Sequence, residues 1–220
     1  NKVVATITVG TYPLCIAYDP SNGYIYVTDD GSSSVSVINP STNKVVATIS
    51  VGEDPYGIVY DPSNGYLYVA NNGSGTVSVI NPSTNSVIAT ITVGTYPKGI
   101  VYDPSNEYLY VTDCGSASVS VINPSTNKVV ATISVGEDPY GIVYDPSNGY
   151  LYVANNGSGT VSVINPSTNS VIATITVGTY PKGIVYDPSN EYLYVTDCGS
   201  ASVSVINPST NTVIATISVG

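Results

Sequence analysis

A segment reading NKVVATI that recurs at multiples of 42 residues, an apolar pattern of period two inside each interval, and turn residues at fixed offsets predict an all-β fold, a five-bladed β-propeller with four antiparallel strands per blade. NKVVATI opens at Asn1, returns at Asn43 and Asn127, and is matched by NSVIATI at Asn85 and Asn169 and by NTVIATI at Asn211. The chain is therefore read as one domain, 1-220, built of modules 1-42, 43-84, 85-126, 127-168 and 169-210, with a lone outer strand in 211-220. Modules 2 and 4 are identical letter for letter, and so are modules 3 and 5, so the higher-order unit is a pair of 84 residues.

Within module 2 four segments carry the strand pattern: VVATISV (Val45 to Val51), YGIVY (Tyr56 to Tyr60), YLYVA (Tyr66 to Ala70) and TVSVI (Thr76 to Ile80). They are rich in Val, Ile, Thr and Tyr, which suit a pleated, half-buried surface. No apolar pattern of period 3.6 persists, so no substantial helix is expected. Between the strands lie Asp61-Pro-Ser-Asn-Gly65, Asn71-Asn-Gly-Ser-Gly75 and Asn81-Pro-Ser-Thr-Asn85. In these, proline presets φ, Asp and Asn bond to their own backbone, and glycine supplies positive φ.

YVTDD at 26-30, YVANN at 68-72 and 152-156, and YVTDC at 110-114 and 194-198, with SVSVINPST and KVVATI downstream and PYGIVYDPSNG upstream, resemble the YVTN-type β-propeller repeats of surface-layer and other exported proteins. The resemblance covers all five modules. It implies an exported protein whose blades run from an inner strand, PYGIVY, to an outer strand, VVATISV. Members of that family often have seven blades, whereas five inner strands are present here.

Composition narrows the function classes. Fifteen carboxylates against five lysines give a formal charge of -10, with no Arg or His, so nucleic acid is not an expected partner. No apolar run reaches the roughly 18–20 residues of a membrane-spanning helix. A signal peptide is absent, so the sequence is read as a mature form or part of a longer chain. Without histidine, the three cysteines Cys15, Cys114 and Cys198 have no partner for a nucleophilic pair, and no catalytic residue, cofactor or metal ligand set is assigned. Asp19, Asp61, Asp103, Asp145 and Asp187 recur once per blade and could form an acidic ring suited to calcium, but each also opens an Asp-Pro turn.

The remaining candidates are interaction sites. The inter-blade loops alternate, with Glu53-Asp54 and Glu137-Asp138 in even modules and Lys98 and Lys182 in odd ones, a pattern able to key a partner's rotation. Tyr12, Tyr96 and Tyr180 lie in the same loops, where exposed rings could stack on sugars. Cys114 and Cys198, two blades apart on one rim, are too distant for a mutual disulfide and would link different molecules if oxidised. Asn72 and Asn156 head N-x-S sequons and are glycosylation candidates. Cys15 replaces the inner-strand glycine and is read as a buried thiol. Six outer-type strands stand against five sets of inner strands. Either Val3 to Val9 or Val213 to Val219 is thus surplus, and an unpaired edge is a template for joining another chain. The expected function is a non-enzymatic extracellular or cell-surface scaffold that self-associates into a surface layer, lattice or filament. The alternative is a lectin-like propeller that binds cell-surface glycans through the loop tyrosines.

Overall fold

The computed structural model describes residues 2–220, so the opening of the first module at Asn1 lies outside the described residues. Among the described residues, twenty strands form five four-stranded antiparallel sheets, each a β-meander in chain order. Sheet 1 comprises β1 (Pro13–Asp19), β2 (Tyr24–Asp29), β3 (Ser34–Asn39) and β4 (Lys44–Ser50). Sheet 2 comprises β5 (Pro55–Asp61), β6 (Tyr66–Asn71), β7 (Thr76–Asn81) and β8 (Ser86–Thr92). Sheet 3 comprises β9 (Pro97–Asp103), β10 (Tyr108–Asp113), β11 (Ser118–Asn123) and β12 (Lys128–Ser134). Sheet 4 comprises β13 (Pro139–Asp145), β14 (Tyr150–Asn155), β15 (Thr160–Asn165) and β16 (Ser170–Thr176). Sheet 5 comprises β17 (Pro181–Asp187), β18 (Tyr192–Asp197), β19 (Ser202–Asn207) and β20 (Thr212–Ser218). Helical structure among the described residues is confined to single 3-10 turns at Asp30–Ser32 and Cys114–Ser116.

These are the four-stranded blades that the repeat predicts, each starting at the inner PYGIVY-type strand and ending at the outer VVATI-type strand. The chain divides into two compact units, Asn1–Ile100 and Val101–Gly220, the division falling inside β9.

In the first unit, sheets 1 and 2 pack face to face. Tyr26, Val35, Val37 and Ile49 from sheet 1 meet Ile58, Leu67, Val69 and Ile80 from sheet 2. In the second unit, Tyr110, Val119, Val121 and Ile133 meet Leu151, Val153 and Ile164, and Tyr152, Val161, Val163 and Ile175 meet Leu193, Val195 and Ile206. Middle strands such as β6 and β7 are buried along almost their whole length. Outer strands β4, β8, β12 and β16 instead alternate between half-buried and exposed positions, as expected of a sheet edge facing solvent on one side.

The DPSN turns close the first hairpin of every blade. Asp61 Oδ1 accepts the Ser63 backbone N–H at 2.8 Å and the Ser63 hydroxyl at 2.7 Å. Asn64 Oδ1 accepts the Tyr66 N–H at 2.9 Å, and Asn64 Nδ2 donates to the Tyr68 hydroxyl at 2.9 Å. The Asn-to-Tyr bond recurs in the other blades, to Tyr26, Tyr110, Tyr152 and Tyr194. It gives the phenol oxygen a partner at the end of a buried ring.

The C-terminal segment supplies the fourth strand of sheet 5: β20 pairs with β19 from Ser202 opposite Ser218 to Asn207 opposite Thr212. Residues 2–9 carry no strand, and Val3 and Val4 are exposed.

Candidate functional site

Every inner strand is entered through a loop whose last residue before proline adopts the left-handed conformation. Tyr12, Asp54, Tyr96, Asp138 and Tyr180 have φ of 52, 52, 54, 50 and 53°. A side chain there costs about 1–2 kcal/mol relative to ordinary backbone, so the neighbouring structure must hold it. The tip of the second hairpin in the same blade does so. Asp30 N–H and Gly31 N–H donate to the carbonyls of Tyr12 and Thr11, both at 3.0 Å. Asn72 and Gly73 donate to Asp54 and Glu53 at 2.9 and 3.0 Å, and Cys198 and Gly199 to Tyr180 and Thr179 at 3.1 and 2.9 Å. A serine hydroxyl completes each lock: Ser74 Oγ accepts from Glu53 N–H at 2.8 Å and Ser158 Oγ from Glu137 N–H at 3.1 Å.

Glycine at the hairpin tip is what lets the loop side chain lie across it. A Cβ on Gly31 would sit 2.6 Å from the Tyr12 ring, and one on Gly199 at the same distance from the Tyr180 ring. The corresponding Cβ on Gly73 would sit 2.7 Å from the Asp54 carboxylate. The rings of Tyr12, Tyr96 and Tyr180 are nonetheless more than half exposed. Tyr96 borders an open depression of about 300 Å³, lined also by Thr95 and by Asn72 to Gly75.

The residue after the αL-Pro corner alternates Tyr56, Lys98, Tyr140, Lys182. Lys98 Nζ lies 5.6 Å from the centroid of the Tyr56 ring, and Lys182 Nζ 5.2 Å from that of Tyr140. Sequence reasoning set these lysines against Glu53, Asp54, Glu137 and Asp138 and missed the cation–π pairing. The signal was available, since Tyr and Lys occupy the same module position in alternate modules.

The hairpin-tip residue reaches the next sheet. Asn72 Nδ2 donates to the Pro97 carbonyl at 3.2 Å, and Asn156 Nδ2 to the Pro181 carbonyl at 3.1 Å, so both sequon asparagines are half-buried and engaged in contacts between sheets. Cys114 Sγ donates to Asp138 Oδ1 at 3.7 Å. Asp30, in the equivalent place, faces Asp54, and its carboxyl is raised above the ordinary range first by burial and then by that neighbouring charge. All three cysteines are free thiols, Cys198 exposed and Cys15 half-buried, and burial pushes the Cys15 thiol up.

Asp19, Asp61, Asp103 and Asp145 are fully buried within their turns, where their carboxylates serve the backbone. Among the described residues no three His, Cys, Asp or Glu side chains converge as metal ligands would. Of the strand residues, Val213 packs on the cluster around Leu193 and Ile206, Val219 is exposed, and Val3 and Val9 lie in the segment outside the sheets.

Repeated four-stranded blades joined by αL-Pro loops define a tandem-repeat protein of the propeller class. A family model described as "Repeat of unknown function (DUF6923)" matches residues 5–182, and the chain belongs to that family. No curated protein matches it. Solved structures with the same fold include hydrazine synthase of Kuenenia stuttgartiensis, 22% identical, with TM-score 0.80 over 94% of this chain and 67% of that one. A functionally unknown protein from Desulfotomaculum acetoxidans is 16% identical, with TM-score 0.81 over 95% and 71% of the two chains. A catalytically inactive virginiamycin B lyase from Staphylococcus aureus, solved with quinupristin, is 16% identical, with TM-score 0.82 over 96% and 71%. At these identities the likeness concerns the fold.

Proposed function

We propose that the chain is a non-enzymatic structural scaffold, kin to the YVTN-type repeats of exported proteins, which works outside the cell or at its surface by associating with copies of itself. The observation that carries this reading is the letter-for-letter recurrence of whole modules, because identical modules repeat the same contact surfaces along one molecule. A catalyst needs one distinct site, whereas a lattice or filament component needs equivalent ones. The lyase neighbour is inactive as a histidine-to-alanine variant, and this chain contains no histidine with which to perform such chemistry. Light scattering of the purified chain as a function of concentration, with particle imaging, tests the proposal. Concentration-dependent assemblies of regular repeat are expected, and a strictly monomeric chain overturns it.

A second reading is favoured by Tyr96, whose exposed ring borders a depression lined by Asn72, Ser74 and Thr95. An aromatic platform beside hydroxyl and amide groups suits a saccharide. A glycan array distinguishes the two: binding that is lost in Tyr96→Ala supports the lectin-like reading, and silence across the array removes it.

A further inference from the structure

Each odd sheet carries a buried carboxylate at the end of its second strand where each even sheet carries a buried amide. Asp29, Asp113 and Asp197 stand in the module position of Asn71 and Asn155, and all five are at most 1% exposed. The exchange reverses the hydrogen bonds around it. Asn155 Nδ2 donates to Thr160 Oγ1 at 3.1 Å and to Ser162 Oγ at 2.9 Å, so those hydroxyls keep their own hydrogens for other partners. Asp197 Oδ2 instead accepts from Ser204 Oγ at 2.7 Å, which commits that hydrogen and leaves the serine oxygen as an acceptor. Ser36 and Ser120 donate to Asp29 and Asp113 in the same way, both at 2.7 Å.

The two settings border two grooves of the second unit. One, of about 350 Å³, lies between the linker 134–136 and strands β15 and β16, with Thr160 and Ser162 in its wall. The other, of about 250 Å³, lies between the linker 176–178 and strands β19 and β20, with Ser200, Ser202, Ser204 and Thr216 beside Val177 and Val213. Gly178 seals the carboxylate beneath this second groove, since a Cβ there would sit 2.6 Å from Asp197 Cγ. The first groove therefore offers O–H donors over a neutral amide. The second offers hydroxyl oxygens over a negative charge.

Two oxygens at the second groove are unsatisfied. Asp197 Oδ1 is buried with no hydrogen-bond partner among the described residues, and so is Ser202 Oγ. The counterparts of Ser202, Ser34 and Ser118, donate to Asp29 and Asp113 at 3.5 and 3.4 Å. Ser202 is 6% exposed and forms part of the groove wall, whose side chains are all uncharged. A buried carboxylate without a positive partner is costly, and Asn155 shows that the fold is built equally well around an amide. A cation in the groove supplies the missing partner.

We infer that the groove over Asp197 binds a small primary alkylammonium ion. Its N–H groups donate to the oxygens of Ser202 and Ser204, and its carbon chain lies against Val177 and Val213. The groove is several times the roughly 30 Å³ that a water molecule occupies, so it has room for the alkyl chain as well as the charged head. The net charge of -10 raises the concentration of cations at the surface. Such binding requires no self-association.

Equilibrium dialysis of the full chain against radiolabelled propylammonium at low salt tests the site. Because Asp29 and Asp113 make the same serine bonds, the variant replaces Asp29, Asp113 and Asp197 together by Asn, the residue that sheets 2 and 4 already hold there. Binding is expected to weaken about tenfold or more. Glu53→Gln, Glu107→Gln and Glu137→Gln combined remove as many charges from exposed positions and are expected to change binding by less than about twofold. On the unaltered chain, ethylammonium is expected to displace propylammonium about tenfold better than tetramethylammonium, which carries the charge but no N–H. Equal loss in the glutamine variant assigns the binding to overall charge and overturns the site. An Asn variant of native circular dichroism that binds like the unaltered chain also overturns it. So does displacement by tetramethylammonium or sodium as effective as that by ethylammonium, or an unaltered chain that binds no propylammonium.

Discussion

At the scale of single residues, the buried tyrosines give the clearest expectations. Burial pushes the hydroxyls of Tyr68, Tyr110 and Tyr152 from the usual 10 up to about 12, although an Asn side chain donating to each oxygen lowers them somewhat. The folded state therefore holds these protons more tightly than the unfolded chain does. That contribution to stability is fully present below pH 10 and is lost as pH rises toward 12. With no Trp present, absorbance at about 295 nm should resolve a late-titrating class of tyrosines whose ionisation coincides with loss of β circular dichroism. Tyr68→Phe removes the acceptor for Asn64 and is expected to cost about 0.5–1.5 kcal/mol in urea unfolding. Gly57→Ala, driven against the Lys98 carbonyl, should cost about 1–3 kcal/mol, whereas Gly183→Ala at the same module position should be close to neutral in a monomer. Cys15 occupies the position of Gly57 in module 1, so sheet 1 accommodates a side chain there that sheet 2 has no room for.

At the scale of elements, the two ends of the chain carry nearly the same strand sequence but have different roles. Removing residues 211–220 strips β20 from β19 and uncovers Val205 and Ile206, so the melting temperature should fall by about 5 °C or more. Removing residues 1–8, of which 2–8 lie outside every sheet, should shift it by less than about 2 °C. Equal effects in a thermal melt would refute this assignment of the fourth strand. Strand number, order and position were legible beforehand, because period-two patterning and Asp-Pro or Asn-Gly turns leave little freedom. YLYVA at 66–70 became Tyr66–Asn71, and TVSVI at 76–80 became Thr76–Asn81. Which terminal segment completes sheet 5 was not legible, since NKVVATI and NTVIATI have equal claims on a strand's pairing groups. Of the charged loop residues, Glu53, Asp54, Glu137, Asp138 and Lys182 are exposed and Lys98 is half-buried. The αL tyrosines, the Lys–Tyr stacking and the Asn72 contact to Pro97 depend on distances between sheets, which a one-dimensional pattern does not carry.

At the scale of the molecule, residues with identical surroundings in sequence do not have identical surroundings in space. Val119 and Val203 occupy the same place in identical modules, yet Val119 is fully buried and Val203 is partly exposed. Segmental isotope labelling should therefore reveal faster amide exchange in β18 to β20 than in β10 to β12, and equal rates would contradict the difference in packing. Two contact types alternate along the chain, Thr28 with Tyr56 and Asn72 with Pro97, then Thr112 with Tyr140 and Asn156 with Pro181, and this fixes which changes in module number preserve them. Inserting or deleting one 84-residue pair joins an even module to an odd one, as in the parent, and creates no new kind of junction. The number of modules can therefore change by whole pairs while every contact between modules keeps its form.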